Sequence, residues 1–120
     1  MTYLTLNNLE VYKLSRKLSK IAWKIFLQLT WKGKRTVGFQ FVEATDSANI
    51  AEGYGRFHFL DRKKFYFNAR ASLLESRHWF ELIVERNLLQ DKKLKEEYLS
   101  YYQKLRPALN GFINSQTKQS

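Results

Sequence analysis

Apolar residues recur along this chain at intervals of three and four, the spacing that puts side chains on one face of a helix. Leu14, Leu18, Ile21, Ile25 and Leu29 form the first such run. They predict a helix over about residues 9–29. Asn7 followed by Glu10 resembles a capping box at its start. "TWKGKR" is the expected end, with Gly33 as the breaker. A second run, Val37, Phe41, Ala44, Ala48 and Ala51, predicts a helix over about residues 36–52 with a narrow stripe. Its small residues would let a neighbour approach closely.

The third helix is expected over about residues 62–88, capped by Asp61 and stapled by Leu60 and Phe65. Phe67, Ala71, Leu74, His78, Leu82 and Glu85 trace one side, and Tyr66, Leu73, Phe80 and Val84 a neighbouring side. A helix contacted on more than one face is implied. Asp91 is the expected cap of a fourth helix over about residues 91–113, with Leu94, Tyr98, Tyr101, Leu105, Leu109 and Phe112 inward. Pro107 should bend it or weaken a turn. Gly111 and the polar residues 114–120 suggest fraying. Short connections between long amphipathic helices favour an all-α, antiparallel up-and-down four-helix bundle, a single domain over residues 1–120.

Composition agrees with a packed domain. Hydrophobic residues make up 44% of the 120, including nine Phe, seven Tyr and three Trp, which excludes a disordered tail. The chain has no Cys, so neither a disulfide framework nor a thiolate metal site is available. No apolar run is long enough to span a membrane. "MTYLTLNNLE" lacks the features of a signal peptide, so a cytoplasmic location is expected.

"NIAEGYGR", residues 49–56, invites a functional reading. It lacks the Gly, Lys and Ser/Thr pattern of a phosphate-binding loop. It reads better as a helix running out, with Ile50 and Ala51 inward and Gly53 and Gly55 letting the chain turn. Glu52 is expected to pair with Arg56 or Arg70. With "VYKLSRKLSKIAWKIF", Gln40, "SANIAEGYGR" and "FYFNARASLLE" in that order, the chain resembles the four-helix-bundle proteins encoded in intervening sequences of bacterial 23S rRNA genes, also called S23 ribosomal proteins. Asn49, Ile50, Ala51, Glu52, Gly53, Gly55 and Arg56 fall in the family motif, and Ala71, Leu74 and Glu75 match its third helix. The resemblance implies a four-helix bundle that often forms a homopentamer. A more distant likeness, to small basic bundles that accompany the reverse transcriptase of diversity-generating retroelements, implies a scaffold role. Val42 and Glu43 stand where family members often carry two basic residues. Ser47 replaces a common proline and Asp46 a common apolar residue, so a straighter second helix is expected.

Charge sharpens the functional question. Lys and Arg number 21 against 11 Asp and Glu, a formal charge of +10. Such an excess suits RNA or DNA, or an acidic protein. Lys13, Lys17, Lys20 and Lys24 recur at helical pitch, broadened by Arg16 and extended by Lys32, Lys34 and Arg35. Such a row can address phosphates without reading bases. It is equally the solvated face opposite Leu14, Leu18 and Ile25. Arg56, His58, Arg62, Lys63 and Lys64 surround Phe57 and Phe59, either to stack bases or to clamp a helix connection. Trp23, Phe26, Trp31, Trp79 and Phe80 exceed the narrow stripes and either seal a subunit interface or complete the core.

Catalytic and metal readings are weak. A di-metal bundle needs two Glu-x-x-His motifs, and Glu75 with His78 supplies one. Ser72, Ser76, His78, Glu75 and Glu81 share one helix without the convergence a triad requires. Asp46 and Glu52 are six residues apart, which makes a shared facing doubtful. No catalytic residue, metal or cofactor is expected. The leading expectation is a non-enzymatic oligomer that binds rRNA or other nucleic acid. The alternative is a protein-binding scaffold for a nucleic-acid enzyme, with a metal-dependent nuclease behind both.

Overall fold

A computed structural model describes residue 6, residues 9–56 and residues 59–117, without the side chains of residues 59, 60 and 117. The described residues form an all-α, up-and-down four-helix bundle with no strand. The first arm is α1 (Glu10–Gln28). The second is segmented: α2 (Trp31–Gly33), a π-helical stretch (Lys34–Gly38), α3 (Phe39–Ala44) and α4 (Ala48–Gly55). The third and fourth arms are α5 (Phe59–Glu85) and α6 (Lys92–Thr117). Adjacent arms run antiparallel. Gln28 near the end of α1 bonds Asp91 at the start of α6, and Tyr66 early in α5 meets Phe112 late in α6.

The core lies where the arms meet. From α1 it takes Val11, Leu14, Leu18, Ile21, Ala22 and Ile25, close to the predicted stripe. Phe41, Phe80 and Tyr98 join three arms, with ring centroids 4.2 to 6.2 Å apart. Burying each such side chain contributes about 1.5–3 kcal/mol. One buried polar pair is satisfied: Ser76 donates to the Leu73 carbonyl at 2.7 Å and meets the Tyr98 hydroxyl at 2.7 Å.

The second arm departs most from expectation. It starts at residue 31, because Thr30 caps it by accepting from the Gly33 N–H at 3.1 Å. Gly33 is therefore inside the helix and breaks nothing. The arm is also not straight. At 45–47 the helix is interrupted: the Thr45 hydroxyl donates to the Val42 carbonyl, and the Asp46 carboxylate accepts from the Ala48 N–H at 2.9 Å. These local bonds compete with the helical ladder and need no proline. The interruption resets the phase, so α4 buries Ile50 and Gly53 while Ala48 is exposed.

Two glycines permit close approach. A Cβ on Gly38 would lie 3.0 Å from the Phe26 ring, and one on Gly53 only 2.6 Å from the Tyr66 ring. Gly53 thus sits within α4 as a packing residue, and neither it nor Gly55 has positive φ. The expected turning role is corrected.

Asp61 lies in the first turn of α5, not at a cap, and the Leu60 part of the expected staple falls outside the described side chains. The inward face of α5 is Tyr66, Ala69, Leu73, Ser76, Phe80 and Ile83; Ala71, Leu74, His78, Val84 and Glu85 are exposed. The helix ends three residues early. Asn87 adopts φ 58°, its N–H donates to the Val84 carbonyl, and the Leu88 N–H donates to that of Ile83. That is the Schellman pattern of helix termination. Asp91 caps α6 as predicted, accepting from the Leu94 N–H at 3.1 Å. The helix runs through exposed Pro107 and Gly111 to Thr117, so the expected fraying from Gly111 is not seen. Asn7 and residues 118–120 lie outside the described residues.

Candidate nucleic-acid interface

The burial of Leu14, Leu18, Ile21 and Ile25 turns the opposite face of α1 outward, and Lys13, Arg16, Lys17, Lys20 and Lys24 are all exposed there. Lys13, Arg16, Lys17 and Lys20 line an open depression of about 810 Å³ with Tyr12, Ser19, Trp23, Asp46 and Ser47. Its floor is α1 and its far edge is the 45–47 interruption. The Arg16 guanidinium donates to the Tyr12 hydroxyl at 3.2 Å, and Lys17 lies 5.8 Å from the Tyr101 ring centroid. Asp46 is the one acid of the depression, and its carboxylate is already engaged by the Ala48 N–H. Lys24 stands apart, beside Asp91, Lys93 and Glu97 at the start of α6.

"WKGKR" folds into the beginning of the second arm. Lys32 and Arg35 are exposed beside Trp31 and Thr36, while Lys34 lies 5.3 Å from the Phe26 ring centroid. Trp31, Trp23 and Phe39 are 68%, 50% and 50% exposed. Trp23 stacks on Phe26 at 5.1 Å, and Phe26 meets Phe39 at 5.2 Å, so the aromatic surface crosses from α1 to α3.

The second basic cluster stands where the second arm ends and α5 begins, and its residues do not line that depression. Arg56 pairs with Glu52 at 3.2 Å and lies 4.9 Å from the Phe65 ring centroid. Lys63 lies over Phe67 at 5.5 Å. Arg62 is half-buried with an Nε that lacks a partner. Lys64 is exposed, while Phe57, His58 and the Phe59 side chain lie outside the described residues.

Ion pairing separates the two halves. Among the described residues the salt bridges join Glu52–Arg56, Arg77–Glu81, Lys92–Glu96 and Lys93–Glu97, and none engages the α1 row. The cause is written in the sequence and escapes a search for lysine periodicity alone. Residues 11–42 hold eight Lys and Arg and no Asp or Glu; the rest of the chain holds thirteen against eleven. Nearly all of the net charge therefore belongs to α1 and the start of the second arm.

Residues 7–111 match the family model described as 23S rRNA-intervening sequence protein. The chain belongs to that family. No curated protein matches it significantly. The "NIAEGYGR" stretch, within the part of the chain that matches the 23S rRNA-intervening sequence family, forms most of α4 and its C-cap, Arg56. Ile50 and Gly53 face the core, Asn49 and Ala51 are half-buried, and Glu52, Gly55 and Arg56 are exposed. Glu52 pairs with Arg56, one of its two expected partners. At most one family-motif side chain, Arg56, is shared with the basic clusters. In this stretch Gly53 packs α4 against Tyr66 of α5.

The catalytic candidates do not converge. Ser76 is committed to the core, whereas His78 is exposed against Trp79, whose indole N–H donates to Glu75 at 3.0 Å. Among the described residues no three His, Asp or Glu side chains are grouped to hold a metal, and no helix is long and apolar enough to cross a membrane. Of the five aromatic residues considered for a subunit interface, Phe26 and Phe80 are buried in the monomer and Trp79 is half-buried.

Proposed function

We propose that this protein is a non-enzymatic, cytoplasmic, oligomeric bundle that binds rRNA or another nucleic acid through the cation-rich surface of α1 and the start of the second arm. Lys13, Arg16, Lys17, Lys20, Lys32, Lys34 and Arg35 would face the phosphates, with Lys24 at the margin; Arg56, Arg62 and Lys63 form a separate, weaker contact. The observation that carries this reading is the concentration of eight cations without one acid over residues 11–42. Unneutralised exposed cations release condensed counterions from a phosphate backbone, which makes affinity strongly salt-dependent. Homo-oligomerisation, with a pentamer favoured, rests on family resemblance.

The test is filter binding or fluorescence anisotropy with RNA across a salt series. Affinity should fall steeply with salt, and replacing Lys13, Lys17, Lys20 and Lys24 by Glu should abolish it. Failure to bind single- or double-stranded RNA or DNA at low salt would overturn the proposal. A second reading, a scaffold for an acidic protein partner, draws on the exposed apolar residues Trp23 and Leu27 beside the cations. It requires a partner that stays bound after nuclease treatment of a native pull-down.

A further inference from the structure

The cations explain attraction to any polyanion but leave the neighbouring aromatic side chains without a role. Trp31, Trp23 and Phe39 keep half or more of their surface in water, although the bundle buries phenylalanines and tyrosines elsewhere. Their positions are linked. Trp31, Arg35 and Phe39 are spaced four apart along the helical second arm, the spacing of neighbours on a helix surface. Phe26 then bridges Phe39 to Trp23 by ring contacts on both sides. Trp31 shares a depression of about 350 Å³ with Lys32, Arg35 and Thr36, where the Arg35 guanidinium lies 5.8 Å from its ring centroid.

We infer that this surface is a stacking platform for unpaired bases, so that the ligand is single-stranded RNA. The inference rests on the nucleic-acid reading above and deepens it. Flat aromatic faces interleaved with cations suit an extended strand: each base offers a π-face, and the phosphates between bases meet the lysines and arginines. A duplex hides those faces and would use the cations alone. Charge also argues against a second copy seated face to face, because two cation-rich surfaces would repel. RNA is favoured over DNA because two acceptors remain beside the rings: the Thr36 hydroxyl, which donates to the Lys32 carbonyl at 2.9 Å, and the Gln40 amide, which donates to the Thr36 carbonyl at 3.4 Å, can each still accept from a ribose 2′-hydroxyl.

The experiment compares one sequence as single-stranded RNA, duplex RNA and single-stranded DNA, by anisotropy, against the full chain and a Trp23→Ala/Trp31→Ala variant. Both indoles are exposed, so the variant should keep its helical circular dichroism. Single-stranded RNA should bind the wild type most tightly. The variant should lose about tenfold or more for that strand, less than about twofold for the duplex, and keep its salt slope. Phe39→Ala, tested separately, should weaken the single strand in the same direction. Equal binding of both RNA forms, or an unaffected tryptophan variant, overturns the platform while leaving phosphate binding intact. Equal binding of single-stranded DNA overturns the ribose assignment. A tryptophan variant that changes subunit number by light scattering, with RNA affinity unchanged, reassigns the face to self-association. No binding of any nucleic acid removes both proposals.

Discussion

At the scale of single residues, Gly53 shows how a functional-looking motif serves packing. Its missing side chain makes room for Tyr66, which is 2% exposed and held against Phe112 at 4.8 Å. Gly53→Ala should therefore destabilise the fold by about 1–3 kcal/mol through overpacking, measured by denaturant unfolding. Gly55→Ala should not, since a Cβ there meets nothing within 4 Å. The Glu52–Arg56 pair is exposed, so Glu52→Gln should cost less than about 1 kcal/mol. A sharper asymmetry concerns Ser76 and Tyr98. Ser76 gives its proton to the Leu73 carbonyl, which leaves the Tyr98 hydroxyl as the donor to Ser76, and burial pushes the Tyr98 phenol well above its ordinary value. Ser76→Ala strands that buried hydroxyl and should cost about 1–3 kcal/mol. Tyr98→Phe leaves Ser76 bonded to Leu73 and should cost less, a difference that paired urea melts resolve.

At the scale of elements, periodicity made the long helices legible and local hydrogen bonds decided their ends. α1 shows one unbroken stripe, and it folds within a residue of its expected bounds. The second arm was misread because Thr30 and Asp46 act through side-chain bonds that no apolar pattern carries. The Asn87 stop is likewise a backbone conformation, not a change of hydrophobicity. Asp91, which was legible, makes a pH-dependent link. The Gln28 amide, then the Leu94 N–H, hold its carboxyl below the ordinary carboxylate value. A depressed folded-state pKa contributes stability at neutral pH that is lost as pH falls through that lowered value. Asp91→Asn keeps a capping acceptor but cannot titrate. The acid limb of its thermal stability should therefore be shallower than that of the wild type.

At the scale of the whole molecule, helical pitch makes the basic candidates legible one by one, but it carries no sign of the acids missing between them. The three-dimensional arrangement adds which of them meet: Lys13, Arg16, Lys17 and Lys20 line one depression, whereas Arg56 and Lys63 lie over Phe65 and Phe67 of α5. The exposed aromatics were equally ambiguous, because composition cannot tell Phe26 in the core from Phe39 at the surface. Concentrated charge has a structural cost. Lys20 has like-charged neighbours at Arg16, Lys17 and Lys24, and such pairs each destabilise a helix by about 0.2–0.5 kcal/mol. Lys20→Glu should raise the melting temperature by a few degrees at low salt, an advantage that fades at high salt, while weakening RNA binding. A lower melting temperature at low salt would contradict this account of the row.

The cation-rich half also constrains symmetry. A two-fold interface brings the same patch of both subunits together, so centring one on the exposed face of α1 would set Lys13, Arg16, Lys17, Lys20 and Lys24 against the same five. Self-association that uses this half must instead be heterologous, placing it against a different, acid-bearing side of the next subunit. Such contacts close only as rings of three or more, or else continue as an open filament. The charge pattern within one chain thereby limits the geometry available to many.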